Sequence, residues 1–194
     1  MIIHSLRRWP HKIRLCGWPR IVRRSRKSMS DRLRSMRKKQ SAGILLYRIR
    51  SHAVQILLVH PGGPFWVRKD EGAWSIPKGE YDDEGVDPLE AAKREFLEET
   101  GFEVQGDTVP LMPVRQPSGK IISVWAVAGD IDAASMRSTS FRMEWPPKSG
   151  HIQEFPEVDC AEWFDLSTAH RKILPGQRPF LAQLERMVES KSTD

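Results

Sequence analysis

Apolar residues are scattered over the first forty positions and gather into regular runs only from residue 41 onward. Ala42–Tyr47 and Val54–His60 are near-continuous apolar runs parted by the polar stretch Arg50–His52, which predicts a hairpin or two adjacent strands. A turn-rich loop follows, His60-Pro61-Gly62-Gly63-Pro64, and ends in Phe65 and Trp66. Between residues 88 and 100 the period changes. Leu89, Ala92 and Phe96 recur at helical spacing behind Asp87 as cap and Pro88 in the first turn, with Gly101 as the stop. That spacing predicts a helix of three to four turns with one apolar face. Short strands are expected at Phe102–Val104 and Val109–Val114, and a clearer one at Lys120–Ala128, rich in β-branched residues. Alternation of Phe141, Met143 and Trp145 predicts a strand before Pro146-Pro147, and Phe155–Phe164 should return the chain to the sheet. Two helices are expected to close the chain, Leu166–Lys172 and Pro179–Ser190, the latter with Phe180, Leu181, Leu184 and Met187–Val188 as its stripe.

Length and composition bound this picture. A chain of 194 residues, 39% hydrophobic and 29% charged, is an ordinary globular composition large enough for one core. No apolar run is long enough to span a bilayer, so no membrane partner is expected. Cys16 and Cys160 lie far apart with no metal-ligand spacing and read as free thiols of a reducing compartment, which points to a cytoplasmic protein. The net charge of +6 conceals two opposite regions. Residues 1–40 hold 14 Lys/Arg and one acid, Asp31, leaving 17 bases and 24 acids in the remainder. The expected organisation is therefore a basic, disordered extension over 1–40 and a mildly acidic globular domain over 41–190. Three readings of the extension compete: a tail that touches nucleic acid or acidic lipid, an organellar transit segment, or a start codon placed too early, with Met29 and Met36 as later starts. The last is favoured.

The helix at 88–100 carries the candidate chemistry. Glu95, Glu98 and Glu99 stand at i, i+3 and i+4, so their carboxylates crowd one face and destabilise the helix unless something neutralises them. A solvated acidic face is the bland alternative. A hard divalent cation is the other, since Mg²⁺ takes a few carboxylate oxygens together with water and phosphate. Arg94 adds a planar donor fork that can hold one of these acids.

The stretch Arg94-Glu95-Phe96-Leu97-Glu98-Glu99-Thr100-Gly101-Phe102 resembles the second half of the Nudix hydrolase box, G-x5-E-x7-R-E-U-x-E-E-x-G-U with U apolar. The first half departs from it. Val86 stands where the family has its first glutamate, and Gly79 lies one residue too far away, as if the loop Tyr81–Glu84 carried an insertion. Glu84 and Asp87 are the nearest substitutes for the missing acid. Pro77-Lys78-Gly79 is similar to the segment in Nudix enzymes acting on dinucleoside polyphosphates and related nucleotides.

The resemblance implies an α/β fold, a mixed sheet in an α/β/α sandwich. It also implies hydrolysis of a phosphoanhydride in a nucleoside diphosphate linked to another moiety, with a nucleoside triphosphate or dinucleoside polyphosphate as the leading substrate. An ADP-sugar or nicotinamide-dinucleotide pyrophosphatase and a catalytically impaired nucleotide- or RNA-binding module are the alternatives. Mg²⁺, replaceable by Mn²⁺, is the implied cofactor. By the match, Glu98 and Glu99 are metal ligands, Glu95 a further ligand or the water-orienting base, the Gly79 carbonyl a backbone ligand, and Arg94 a holder of Glu95. Glu154 and Glu157 are candidate general bases on a later loop, with His151 a weaker one. Lys78 is a candidate phosphate contact, as are Arg68, Lys69, Arg115 and Lys120. Trp66, Phe65 and Trp145 are candidate base-stacking rings, although a core role is the favoured reading of them. Nucleic acid enters only through the basic extension, and the oligomeric state is left open.

Overall fold

The computed structural model describes residues 40–81 and 85–191. The basic extension over 1–39, Cys16, and Glu84 of the inserted loop lie outside the described residues. So does any reading that depends on them.

The two apolar runs form β1 (Gln40–Arg50) and β2 (Ala53–Pro61), an antiparallel pair with Tyr47 opposite Ile56. Their continuity has a physical cause: both strands are covered on both faces. Leu45 and Tyr47 of β1 and Ile56 and Leu58 of β2 point into one core, while Ala42, Ile44, Leu46, Leu57 and Val59 point into the other. A short strand, β3 (Lys78–Tyr81), pairs with the beginning of β1, placing Gly43 beside Lys78. Next comes α1 (Pro88–Thr100), then β4 (Thr108–Pro110), β5 (Val114–Arg115) and β6 (Ile121–Ala128). β6 runs parallel to β1, so the sheet is mixed, with α1 on the connection. Among the described residues, β7 (Ser140–Glu144) and β8 (Ile152–Pro156) pair only with each other, as a separate two-stranded sheet. β9 (Val158–Asp165) completes the main sheet, whose path is β4-β6-β1-β2-β9. The chain closes with α2 (Leu166–Lys172) and α3 (Arg178–Lys191).

One face of the main sheet is sealed by α1, which buries Ala91, Ala92 and Phe96. The other is sealed by the C-terminal helices through Ala169, Phe180, Leu181 and Leu184, with Ile173 between them. This is the α/β/α arrangement that the resemblance implied.

Three strand assignments need correction. Phe102–Val104 is irregular: Gly101 at φ 79° turns the chain off the helix, and β4 begins later. Val109–Val114 is broken between β4 and β5, because Pro113 has no N–H to give the ladder. Phe155–Phe164 is two strands in two sheets, separated just after Pro156.

Candidate active site

The site is assembled where β3 meets α1. Asp87 caps α1 by accepting the Leu89 N–H at 3.0 Å, and the Gly101 N–H closes on the Leu97 carbonyl at 2.7 Å. With Phe96 fixed in the core, Glu95 is turned against β3. The approach is close: a Cβ placed on Gly79 would lie 1.7 Å from Glu95 Oε2, so only glycine fits beside this carboxylate. Glu95 keeps just 14% of its side chain exposed, and Arg94 donates to it at 2.8 Å. Arg94 also reaches Glu98 at 3.7 Å, which restrains two acids with one guanidinium.

Glu99 faces β3 as well, and its carboxylate accepts the backbone N–H of Lys78 at 3.0 Å. Burial pushes the Glu99 carboxyl up to about 7 against the pull of the Lys78 charge and N–H, and Glu95 and Glu157 add repulsion. Lys78 is drawn below its ordinary value by the same burial, although Glu99, Glu95 and Glu80 favour its charged form; Lys120 nearby opposes it. The site is thus a half-buried knot of acids with a lysine beside it.

Glu157 reaches this knot from the far end of the sequence through a chain of backbone bonds. Thr139 N–H donates to the Glu98 carbonyl, Glu157 N–H donates to the Thr139 carbonyl, and Gly62 N–H donates to the Glu157 carbonyl, each at 2.9 Å. The Thr139 hydroxyl also donates to the Glu157 carboxylate at 3.1 Å. Thr139, the clasp of this arrangement, was not among the sequence candidates; no spacing marks it, because its partners are 41 and 18 positions away.

The remaining candidates are spread more widely. Glu154 accepts from the Ser140 hydroxyl and lies 3.9 Å from Arg142, on the exposed face of the β7–β8 hairpin opposite Phe155. His151 is exposed in the same hairpin. Lys120 is paired with Glu80 at 2.9 Å. Trp66 lies under the Lys69 ammonium, 4.3 Å from the ring centroid, and Phe65 meets Trp145 edge to face at 5.2 Å. Val86, at the position of the family's first glutamate, is 39% exposed, and Asp87 serves as the helix cap. Cys160 is half-buried with its thiol pushed up to about 11, chiefly by burial, which keeps it un-ionised at neutral pH.

The donor set suits a hard divalent cation: carboxylates at helical spacing, one of them raised chiefly by burial, with its acidic neighbours adding to the shift. Among the described residues, no three His, Cys, Asp or Glu side chains converge as a ready-formed cage. The reason is visible in the bonding, since Arg94 draws Glu98 outward while Lys78 N–H holds Glu99 inward.

The NUDIX domain pattern matches residues 37–184. The chain belongs to the NUDIX family. Among curated NUDIX relatives it is 33% identical over 116 residues to the RNA pyrophosphohydrolase of Rhizobium meliloti (strain 1021), covering 54% of this chain and 66% of that one. It is 28% identical over 124 residues to the RNA pyrophosphohydrolase of Brucella abortus (strain 2308), covering 57% and 65%. The chain therefore spans just under two thirds of the length of these relatives. Among solved NUDIX structures it resembles a C. elegans Ap4A hydrolase in a binary complex, with TM-score 0.52, 20% identity and coverage of 77% and 98%. It also resembles the NUDIX domain of Shewanella oneidensis NrtR complexed with ADP ribose, with TM-score 0.54, 14% identity and coverage of 83% and 99%. Identities this low establish a shared fold. Among the described residues no helix is long and apolar enough to cross a membrane.

Proposed function

We propose that the protein is a divalent-cation-dependent pyrophosphohydrolase that cleaves a phosphoanhydride in a nucleoside polyphosphate, either free or as the 5′ end of an RNA. The observation that carries this reading is the half-buried acid knot on α1 against β3, in which burial, with Glu95 and Glu157 close by, raises Glu99 to about 7. A cluster of like charges with no structural gain of its own marks a site built for a ligand. The curated relatives, named RNA pyrophosphohydrolases, support the choice of a nucleotide polyphosphate chain.

In this reading Glu95, Glu98 and Glu99, with the Gly79 carbonyl, would hold Mg²⁺ or Mn²⁺. A bound cation supplies charge neutralisation across the bridging phosphates and lowers the pKa of a coordinated water. Arg94 keeps Glu95 and Glu98 in register. Lys78 offers a cation to the polyphosphate chain, which is already repelled by the acids around it. Glu157 is the base candidate: its carboxylate is held by Thr139 and lies close enough to Glu99 to raise it, whereas Glu154 is engaged within the hairpin.

A substrate panel tests the reading. Nucleoside triphosphates, diadenosine tetraphosphate, ADP-ribose and a 5′-triphosphorylated RNA are assayed with Mg²⁺, and the products are resolved to locate the cleaved bond. Turnover should fall on the first two classes or the RNA and vanish with chelator. Glu98→Gln retaining wild-type turnover on every cleaved substrate would refute the metal assignment. A second reading, a ligand-sensing module without turnover, is favoured by Val86 in place of the first glutamate. It predicts nucleotide binding with no Mg²⁺-dependent product from any member of the panel.

A further inference from the structure

His60 is a buried titratable side chain that takes no part in the acid knot. It stands next to last in β2 and keeps 8% of its side chain exposed, with its ring set edge-on against Trp74 at 5.2 Å. Both ring nitrogens are engaged. Nδ1 lies 2.7 Å from Asp159 Oδ1, and Nε2 lies 2.8 Å from the Lys69 carbonyl oxygen. A backbone carbonyl only accepts, so Nε2 carries a proton. An ionised carboxylate only accepts as well, so the contact at Nδ1 needs a second proton, shared between ring and carboxylate. Without that proton two lone pairs face each other at 2.7 Å. The ring then has one N–H for two acceptors. It stays on Lys69 and gives up Asp159, or turns to Asp159 and gives up Lys69.

The approach of Asp159 is built into the sheet. His60 pairs with Cys160, but the next residue, Pro61, pairs with Val158, so Asp159 is the extra residue of a β-bulge. Val158 and Ala161 accordingly share the core beneath α1 although they are three positions apart. A bulge of this kind re-aims a side chain. At the other end of the contact, the Gly63–Lys69 backbone bonds to itself, Trp66 N–H to the Gly63 carbonyl and Lys69 N–H to the Trp66 carbonyl. Among the described residues, the Lys69 carbonyl on His60 is the hydrogen bond that ties this segment to the sheet. The other charged groups around the ring have partners of their own. Asp70 is held below its ordinary value first by its bond from Lys172 of α2 and then by the Trp74 N–H. Cys160, opposite His60, has its thiol pushed up chiefly by burial, and Glu162 lies two positions further along β9.

We propose that His60 is a positioning residue: together with Asp159 it forms a proton-held latch that fixes the Gly62–Asp70 loop against the sheet. The latch reaches the site by two short paths. Gly62, two residues after His60, donates to the Glu157 carbonyl, and Glu157 itself is two residues before Asp159. Opening either bond of the latch loosens one of the two backbones that hold Glu157. This consequence for Glu157 rests on the proposed pyrophosphohydrolase reading; the latch does not.

The test is hydrogen exchange of the backbone amides of residues 63–70 in the full chain, with chelator and without substrate. It runs from about pH 5.5 to 8.5, the range in which histidines change charge, and is corrected for the intrinsic pH dependence of exchange. Protonation of the His60 ring is followed in parallel by nitrogen-15 NMR. Protection of the wild-type segment should fall roughly tenfold as the ring loses its proton, the size expected for one lost hydrogen bond, and the two curves should share a midpoint. Asp159→Asn separates a latch from mere packing. Its side-chain N–H donates to an unprotonated Nδ1, so both contacts form without the second proton and the segment should stay protected throughout. A wild-type segment equally protected at every pH, a midpoint apart from that of the ring, or an Asp159→Asn curve that follows wild type overturns the proposal. Turnover then tests the link to Glu157. On a nucleoside triphosphate, kcat of the wild type relative to Asp159→Asn should fall along the same curve, and a ratio constant with pH overturns that link. Absence of turnover in both proteins beside the expected exchange curves sinks the catalytic reading and leaves the latch standing.

Discussion

Helices α1 and α3 cover opposite faces of one sheet and are nearly equal in length, yet their surfaces are put to different uses. On α3, Phe180, Leu181 and Leu184 fill one core. On α1, Ala91, Ala92 and Phe96 do the same for the other core, but Glu95 and Glu99 then turn inward against β3 instead of out to water. A helix that only seals a layer has no reason to bury acids, because burial disfavours their charged form and like charges at this spacing repel. The contrast separates the part of α1 that folds the protein from the part held in place for chemistry.

The contrast can be broken first on the acidic side. Glu99→Gln should lower kcat on a nucleoside polyphosphate a hundred-fold or more, the loss of several kcal/mol of transition-state stabilisation. In chelator at pH 8 the same variant should melt no lower than wild type, since it removes a buried repulsion. A melting point well below wild type would show Glu99 to be structural. On the other helix, Leu184→Ala should cost about 2–5 kcal/mol of stability and leave kcat close to wild type at temperatures where the protein is folded. A selective loss of activity there would erase the distinction between the helices.

The smallest effect sharpens the comparison through pH. Glu99 titrates near 7 in the folded protein against an ordinary value of 4.5. Between those values the folded state keeps a proton that the unfolded chain has lost. This contribution to stability is therefore present below about 4.5 and disappears as pH rises through about 7. In chelator, the wild type should gain stability relative to Glu99→Gln as pH is lowered from 8 to 5. Added Mg²⁺ should raise the melting temperature more at pH 8 than at pH 6, because a cation must displace the proton. A Mg²⁺ effect equal at both pH values would refute the buried-acid account.

Much of the architecture was legible because burial leaves a periodic trace. The unbroken runs in β1 and β2 reflect strands covered on both faces, and the Asp87, Pro88 and Gly101 signals delimit α1 as the structure does. β3 left little trace: four residues, Lys78-Gly79-Glu80-Tyr81, hold no apolar run, and their strand form comes from pairing with β1. The segment 155–164 reads as one strand because the change of sheet occurs at a turn of one residue, Glu157, between two apolar stretches. In the site, Arg94, Glu95, Glu98 and Glu99 lie within six positions and could be seen together. The approach of Glu157 to Glu99 could not, since it depends on Thr139 clasping two distant backbones.

Phe96 occupies the position between Glu95 and Glu98-Glu99 and is itself fully enclosed. The same helical turn is therefore both a keystone of the hydrophobic interior and the bracket on which the acids are mounted. Heat inactivation and loss of that interior layer should then coincide, with no temperature at which the body survives while this set of carboxylates has drifted apart.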